Sequence, residues 1–144
     1  MNPTRVVFVC TGNSVRSQMA EALLREIGED RFEVASSGVR PAGIHPVTIR
    51  VLSEVGIDIS KARSKSVDET PFDRFDYVIT LCGHAQETCP AIPSGVRTEH
   101  WPIDDPIAYV ALPEERLQRF RETQETIRDH VTAFVLRWKK KSGD

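Results

Sequence analysis

Hydrophobic positions along the chain follow two alternating rhythms, short β-branched runs and longer stretches at helical spacing. Arg5-Val6-Val7-Phe8-Val9 is apolar on both faces and predicts a first, central strand. From Ser17 the period changes: Met19, Ala20, Leu23, Leu24 and Ile27 line one helical face, and Gly28 suits its C-cap. Residues 32–37 alternate and end at Gly38, a second strand. Pro46 to Val55 is a second helix, with Val47, Val51, Leu52 and Val55 on one side before Gly56. Residues 75–81 read as a third strand running into Cys82, and residues 95–101 as a weaker fourth. Pro113-Glu114-Glu115 opens a last helix whose first-turn acids suit the helix dipole. Its stripe of Leu117, Phe120, Ile127, Val131, Phe134, Val135 and Trp138 should pack on the sheet, and Lys139-Lys140-Lys141 suits its C-terminal end.

Strands alternating with helices predict an α/β fold, a three-layer αβα sandwich around a central, mostly parallel four-stranded sheet. No repeat, linker or low-complexity tract interrupts it, so residues 1–144 form a single domain. Residues 57–74 are the least defined. Lys61, Arg63, Lys65 and Arg74 make them basic, which fits a solvated surface or an edge of an anion site equally well.

Composition narrows the function. The 144 residues are 40% hydrophobic and 28% charged, too apolar for disorder, and the net charge of −2 argues against a nucleic-acid binder. The longest apolar run, Val6 to Cys10, is far short of the roughly 18 residues of a membrane span. The first residues carry no signal-peptide pattern, so a cytoplasmic protein is expected. Three cysteines, Cys10, Cys82 and Cys89, make no disulfide scaffold. In a reducing compartment they are packing, metal ligands or chemistry.

Cys10-Thr11-Gly12-Asn13-Ser14-Val15-Arg16-Ser17 lies between the end of a strand and the start of a helix, where open α/β sheets bind ligands. Backbone N–H groups and the helix dipole point there at one place, which suits an anion. Gly12 is expected to allow close backbone approach, and Arg16 to add a bidentate fork for a tetrahedral oxyanion. A helix N-terminus and a nearby Arg favour the thiolate, so Cys10 is the candidate nucleophile. Ser17 is placed to donate to that thiolate and Asn13 to brace the loop.

Cys82 and Cys89 begin where the third strand should end, at the same sheet edge as Cys10. If the segment between them were helical, the two would lie about 10.5 Å apart along its axis. A disulfide needs Cα atoms within about 7 Å, so helix and disulfide exclude each other here. Gly83 and Pro90 would ease the unwinding. Zinc binding through Cys82, His84, Cys89 and His100 matches no common ligand spacing, and two buried structural thiols are the other alternative.

The Cys-x5-Arg-Ser spacing after a strand resembles the oxyanion loop of cysteine-based phosphatases. The fuller string resembles the low-molecular-weight tyrosine phosphatases, whose fold it implies. Taken with Ser36-Ser37-Gly38, Val78-Ile79-Thr80-Leu81-Cys82-Gly83, Cys89-Pro90, Trp101-Pro102 and Asp104-Asp105-Pro106, the chain resembles the thioredoxin-coupled arsenate reductases built on that fold. That resemblance implies an oxyanion loop of residues 11–17, with Thr11, Gly12, Asn13, Ser14, Val15, Arg16 and Ser17, holding arsenate. It implies Cys10 as nucleophile, Cys82 and Cys89 as a disulfide relay, and thioredoxin as external reductant with no bound cofactor. Spacing alone does not separate Asp104 from Asp105 as general acid; the resemblance selects Asp105. Relatives carry a further cysteine where this chain has Val15, outside the three relay thiols. Relatives also hold potassium near the positions of Asn13, Glu21 and Ser36. Lys65 stands where some have an acid, so no metal is expected. A monomer without nucleic-acid or membrane partners is expected. A plain phosphotyrosine phosphatase, using Cys10, Arg16 and Asp105 but neither other cysteine, and a non-catalytic oxyanion or redox sensor are the alternatives.

Overall fold

A computed structural model of the chain describes residues 2–88, 91–108 and 112–142. Four strands form one parallel sheet: β1 (Thr4–Cys10), β2 (Phe32–Gly38), β3 (Tyr77–Thr80) and β4 (Arg97–His100). Their order is β2-β1-β3-β4. The helices are α1 (Arg16–Gly28), α2 (Pro46–Glu54), α3 (Gly83–Thr88) and α4 (Pro113–Ser142). The first connection leads from β1 outward to β2 and the next returns to β3 on the other side of β1. This reversal places a crevice at the carboxyl ends of β1 and β3.

Register decides what shares a face. Val6 pairs with Val34 and Tyr77, and Phe8 with Ser36 and Ile79, so these side chains point one way. On that side Phe8 and Tyr77 meet Trp101 and Phe134, with ring centroids 5.5 Å apart for Phe8–Trp101 and 5.1 Å for Tyr77–Phe134. Helices α1 and α4 pack together over this face. The expected stripe of α4 is seen in the burial of Phe120, Ile127, Val131, Phe134 and Val135, while Leu117 and Trp138 are only partly buried. The opposite face carries Val78 and Thr80, which border a cavity with Gln86 of α3. Single 3₁₀ turns at Val67–Glu69 and Phe72–Arg74 bury Val67 and Phe72.

The elements differ from the sequence expectation mainly at their ends. The third strand is shorter than residues 75–81, with a 3₁₀ turn over Phe72–Arg74 just ahead of it and Asp76 bonded to Arg5 through both its backbone and its carboxylate. The fourth is confined to Arg97–His100, and residues 57–74 hold no strand, only turns. Helix α1 starts one residue early, at Arg16, which brings the arginine to its first position. Among the described residues, no helix is long and apolar enough to cross a membrane.

Phe134 is 1% exposed and touches the rings of Phe32, Tyr77 and Trp101. Phe134→Ala is expected to cost about 3–5 kcal/mol in urea unfolding, and a loss below about 1 kcal/mol would contradict this packing.

Candidate active site

The carboxyl ends of the strands lie at one level, since Cys10 pairs with Gly38, and Thr80 with both Val9 and His100. Cys82 therefore follows β3 by two residues, and Asp105 follows β4 by five, onto the edge where Cys10 ends β1.

The loop after β1 turns its carbonyls outward. Cys10 O accepts from Val39 N at 3.2 Å, Thr11 O from Arg40 N at 2.8 Å, and Gly12 O from Ala42 N at 3.0 Å. Asn13 O accepts from the Ser64 hydroxyl at 2.8 Å. Ser14 O accepts from His45 N at 3.2 Å and the Thr48 hydroxyl at 3.0 Å. Every carbonyl from 10 to 14 is thus satisfied from outside the loop. Among the described residues, no protein acceptor takes a backbone N–H of residues 11–15. With the first turn of α1 behind them, these donors form a nest for an anion.

Asn13 fixes this shape. It is fully buried and left-handed, with φ 48°. Its Oδ1 accepts from Lys65 N at 2.8 Å and Gln18 Nε2 at 3.0 Å. Its Nδ2 donates to the hydroxyls of Ser17 at 2.8 Å and Ser36 at 2.9 Å. Because Ser17 Oγ accepts from Asn13, its own proton is free to face Cys10 Sγ, 2.9 Å away. Ser36 in turn donates to Glu21 Oε1 at 2.5 Å.

Glu21 is paired with Arg25 at 2.6 Å, and the Lys65 ammonium lies 3.9 Å from its Oε1. Burial pushes the Lys65 pKa below the usual lysine value, with Glu21 pulling it back up. Asn13, Ser36 and Glu21 are all engaged by protein groups and a cation already stands beside the carboxylate, so these residues do not fit a bound metal ion.

Cys10 and Cys82 are both buried free thiols. Cys82 Sγ lies 3.2 Å from the hydroxyl of Thr11, the residue following Cys10, and accepts from Ala85 N at 3.3 Å in the first turn of α3. Cys89 and Pro90 lie outside the described residues. His84 is exposed. Val15 is buried in the core, 3% exposed.

Arg16 is 8% exposed and donates through NH1 to Ile103 O at 3.0 Å, with NH2 3.6 Å from Asp105 Oδ2. Geometry thus separates the two adjacent acids: Asp105 faces Arg16, whereas Asp104 lines a groove with Pro102, Pro106 and Arg119. Burial, followed by Arg116, lowers the pKa of His45 against the opposing pull of Asp105.

Toward the protein itself Gly12 is not tightly packed, since a Cβ there would meet Ala42 and Ser14 at an ordinary 3.5 Å, whereas Gly38 is. A Cβ on Gly38 would lie 2.7 Å from both Asn13 N and Thr11 O. Gly38, Ser64, Lys65, His45 and Thr48 support the loop from distant parts of the chain. The sequence signalled only some of them, through the Ser-Ser-Gly motif and the basic character of residues 57–74. Gly38→Ala is expected to displace the loop, weaken phosphate binding and cost about 1–3 kcal/mol, with Gly12→Ala far milder in stability. Phosphate titration and urea unfolding read both effects; unchanged phosphate binding in Gly38→Ala would contradict the close packing.

Comparison with known proteins gives the chain its family. The low molecular weight phosphotyrosine protein phosphatase family matches residues 5–143. An arsenate reductase of Halalkalibacterium halodurans is 39% identical over 135 residues, covering 94% of this chain and 97% of its own. The structure of an arsenate reductase in its oxidized state superposes with a TM-score of 0.80 at 32% identity, covering 95% of this chain and 98% of the other. A thioredoxin-dependent arsenate reductase from Corynebacterium glutamicum gives 0.70 at 32% identity, over 93% of this chain and 63% of that one. The chain belongs to the low molecular weight phosphotyrosine protein phosphatase family and groups within it with the arsenate reductases.

Proposed function

We propose that the chain reduces arsenate to arsenite through a three-cysteine relay and is regenerated by thioredoxin, serving arsenic detoxification in the cytoplasm. The observation that carries this reading is the juxtaposition of two buried thiols across one oxyanion loop. Cys10 stands at its foot, and Cys82 is bridged to it by the hydroxyl of Thr11. A hydrolase of phosphate esters needs the first thiol and has no use for the second. The similarity to arsenate reductases supports the substrate, and the thioredoxin-dependent relative supports the reductant.

Residues 11–15 hold the oxyanion with their N–H groups and Arg16 adds its guanidinium. The Cys10 thiolate, faced by the Ser17 hydroxyl, attacks arsenic(V) and an oxygen leaves as water with a proton from Asp105. Cys82 then attacks Cys10 Sγ. The sulfur–sulfur bond forms as the sulfur–arsenic bond breaks, its electron pair stays on arsenic, and arsenite departs. Cys89 attacks Cys82, freeing Cys10 as thiolate and leaving a Cys82–Cys89 disulfide for the thioredoxin dithiol. Residues 83–88 are helical, and a continuous helix would hold positions 82 and 89 about 10.5 Å apart, so this step requires α3 to unwind. Gly83 at the start of α3 makes that unwinding easier, as glycine is a poor helix former.

The second reading is a phosphotyrosine phosphatase, favoured by a loop, thiol and acid that suffice for phosphomonoester hydrolysis and by the family's name. Oxidation of NADPH with thioredoxin, its reductase and arsenate separates the two. Cys10→Ser is expected to lower both arsenate reduction and aryl phosphate hydrolysis by about 10³-fold or more. Cys82→Ser and Cys89→Ser should abolish thioredoxin-dependent arsenate turnover and retain aryl phosphate hydrolysis. Parent rates of arsenate reduction in both would overturn the relay.

A further inference from the structure

Arg16 divides its guanidinium between two partners on the 101–108 loop. NH1 donates to Ile103 O at 3.0 Å, a buried and neutral bond. NH2 stands 3.6 Å from Asp105 Oδ2, in an ion pair whose arginine side chain is 10% exposed and whose acid is 39% exposed. The other carboxylate oxygen, Oδ1, accepts from Ile107 N at 3.0 Å, and Asp105 O accepts from Ala108 N at 3.1 Å. Both oxygens of Asp105 therefore face donors. A general acid must carry its proton on the oxygen that meets the leaving group, yet Oδ2 faces a cation.

Arg16 follows directly on the loop whose outward carbonyls leave its N–H groups for an oxyanion. Asp105 and a bound oxyanion thus draw on the charge of one guanidinium. The NH1 bond to Ile103 O anchors the guanidinium whichever partner NH2 takes. A dianion arriving there replaces the cation facing Asp105 with negative charge, and like charges disfavour two neighbouring anions.

We propose that Arg16 is a binding-coupled switch for Asp105: oxyanion capture draws NH2 away from Oδ2, and the released carboxylate takes up one proton from solvent at that oxygen. One ion pair breaks and another forms; no bond to sulfur or arsenic changes. The acid is thereby armed only while an oxyanion occupies the loop. At other times the carboxylate balances a nearly buried arginine. The inference rests on the reading of residues 11–16 as an oxyanion loop.

The charged and titratable groups around Asp105 come from several elements. Arg16 approaches from α1, and His45, at the start of α2, feels both Asp105 and Arg116 of α4. Asp104 precedes it and lines a groove with Arg119 and Glu122 of α4.

Sulfate is the suitable probe, because it carries no proton near neutrality and any proton taken up belongs to the protein. The Cys10→Ser background removes the thiol's own titration. Calorimetry of sulfate binding in buffers of different ionisation enthalpy gives the proton count. At about pH 6 the Cys10→Ser protein is expected to take up close to one proton per sulfate. Adding Asp105→Asn should bring the count near zero and tighten sulfate binding several-fold, since the competing carboxylate is gone. Asp105→Ala, in case the amide misfolds the loop, should give the same count. A purely structural role for Asp105 would leave the proton count unmoved. Equal uptake with and without Asp105 overturns the switch and leaves the oxyanion loop standing. No sulfate binding by either folded protein overturns the loop reading, and the switch with it.

Discussion

The side-chain amide of Asn13 is fully buried, in a residue held at φ 48°, and it uses every hydrogen-bonding position it has. Two donors meet its oxygen, from Lys65 and Gln18, and its nitrogen serves two hydroxyls, of Ser17 and Ser36. The amide orientation follows from those partners, and with it the direction of each hydrogen bond onward to Cys10 and Glu21. A left-handed residue at this point turns the chain so that its carbonyls face the strap at residues 39–48 and the segment at 63–65. Leaving any of these buried groups unmet would cost about 1–3 kcal/mol each. The loop is therefore held in one conformation by contacts on its outer side, and its inner side is left to the anion.

That arrangement separates duties along the sheet edge. β1 ends at Cys10, β2 ends in a glycine against which the loop lies, β3 leads to Cys82, and β4 leads to Asp105. The parallel register is what brings Cys82 against Thr11, the residue after Cys10, from 71 positions along the chain. Thr11 sits between them, and Arg16 ties the loop to the acid-bearing segment through Ile103 and Asp105. The chemistry is local, whereas the support is drawn from nearly the whole chain.

This division explains what could be read from the sequence. Cys10, Gly12, Asn13, Arg16 and Ser17 lie within eight residues, and the strand-to-helix context gave them meaning without any long-range knowledge. The α/β alternation was equally legible, because periods of two and 3.6 are local properties. Strand ends were not, since Asp76, just ahead of β3, holds Arg5, a partner 71 residues away, with its carboxylate as well as its backbone. Gly38 and Lys65 could not be assigned to Asn13 by spacing, as their meeting depends on the register of β2 against β1 and on the bridge from Gly38 to Ser66. Spacing alone likewise could not separate Asp105 from Asp104, which only the resemblance did; the structure shows Asp105 to be the one that faces Arg16.

The relay is tested most directly by a single turnover with reduced protein and arsenate in the absence of thioredoxin. Free thiols are then alkylated and the disulfides mapped by mass spectrometry. A working relay releases one arsenite per chain, leaves Cys10 alkylated, and bridges Cys82 to Cys89. Release of arsenite with all three cysteines still alkylatable, or no arsenite from a folded and reduced protein, would contradict it.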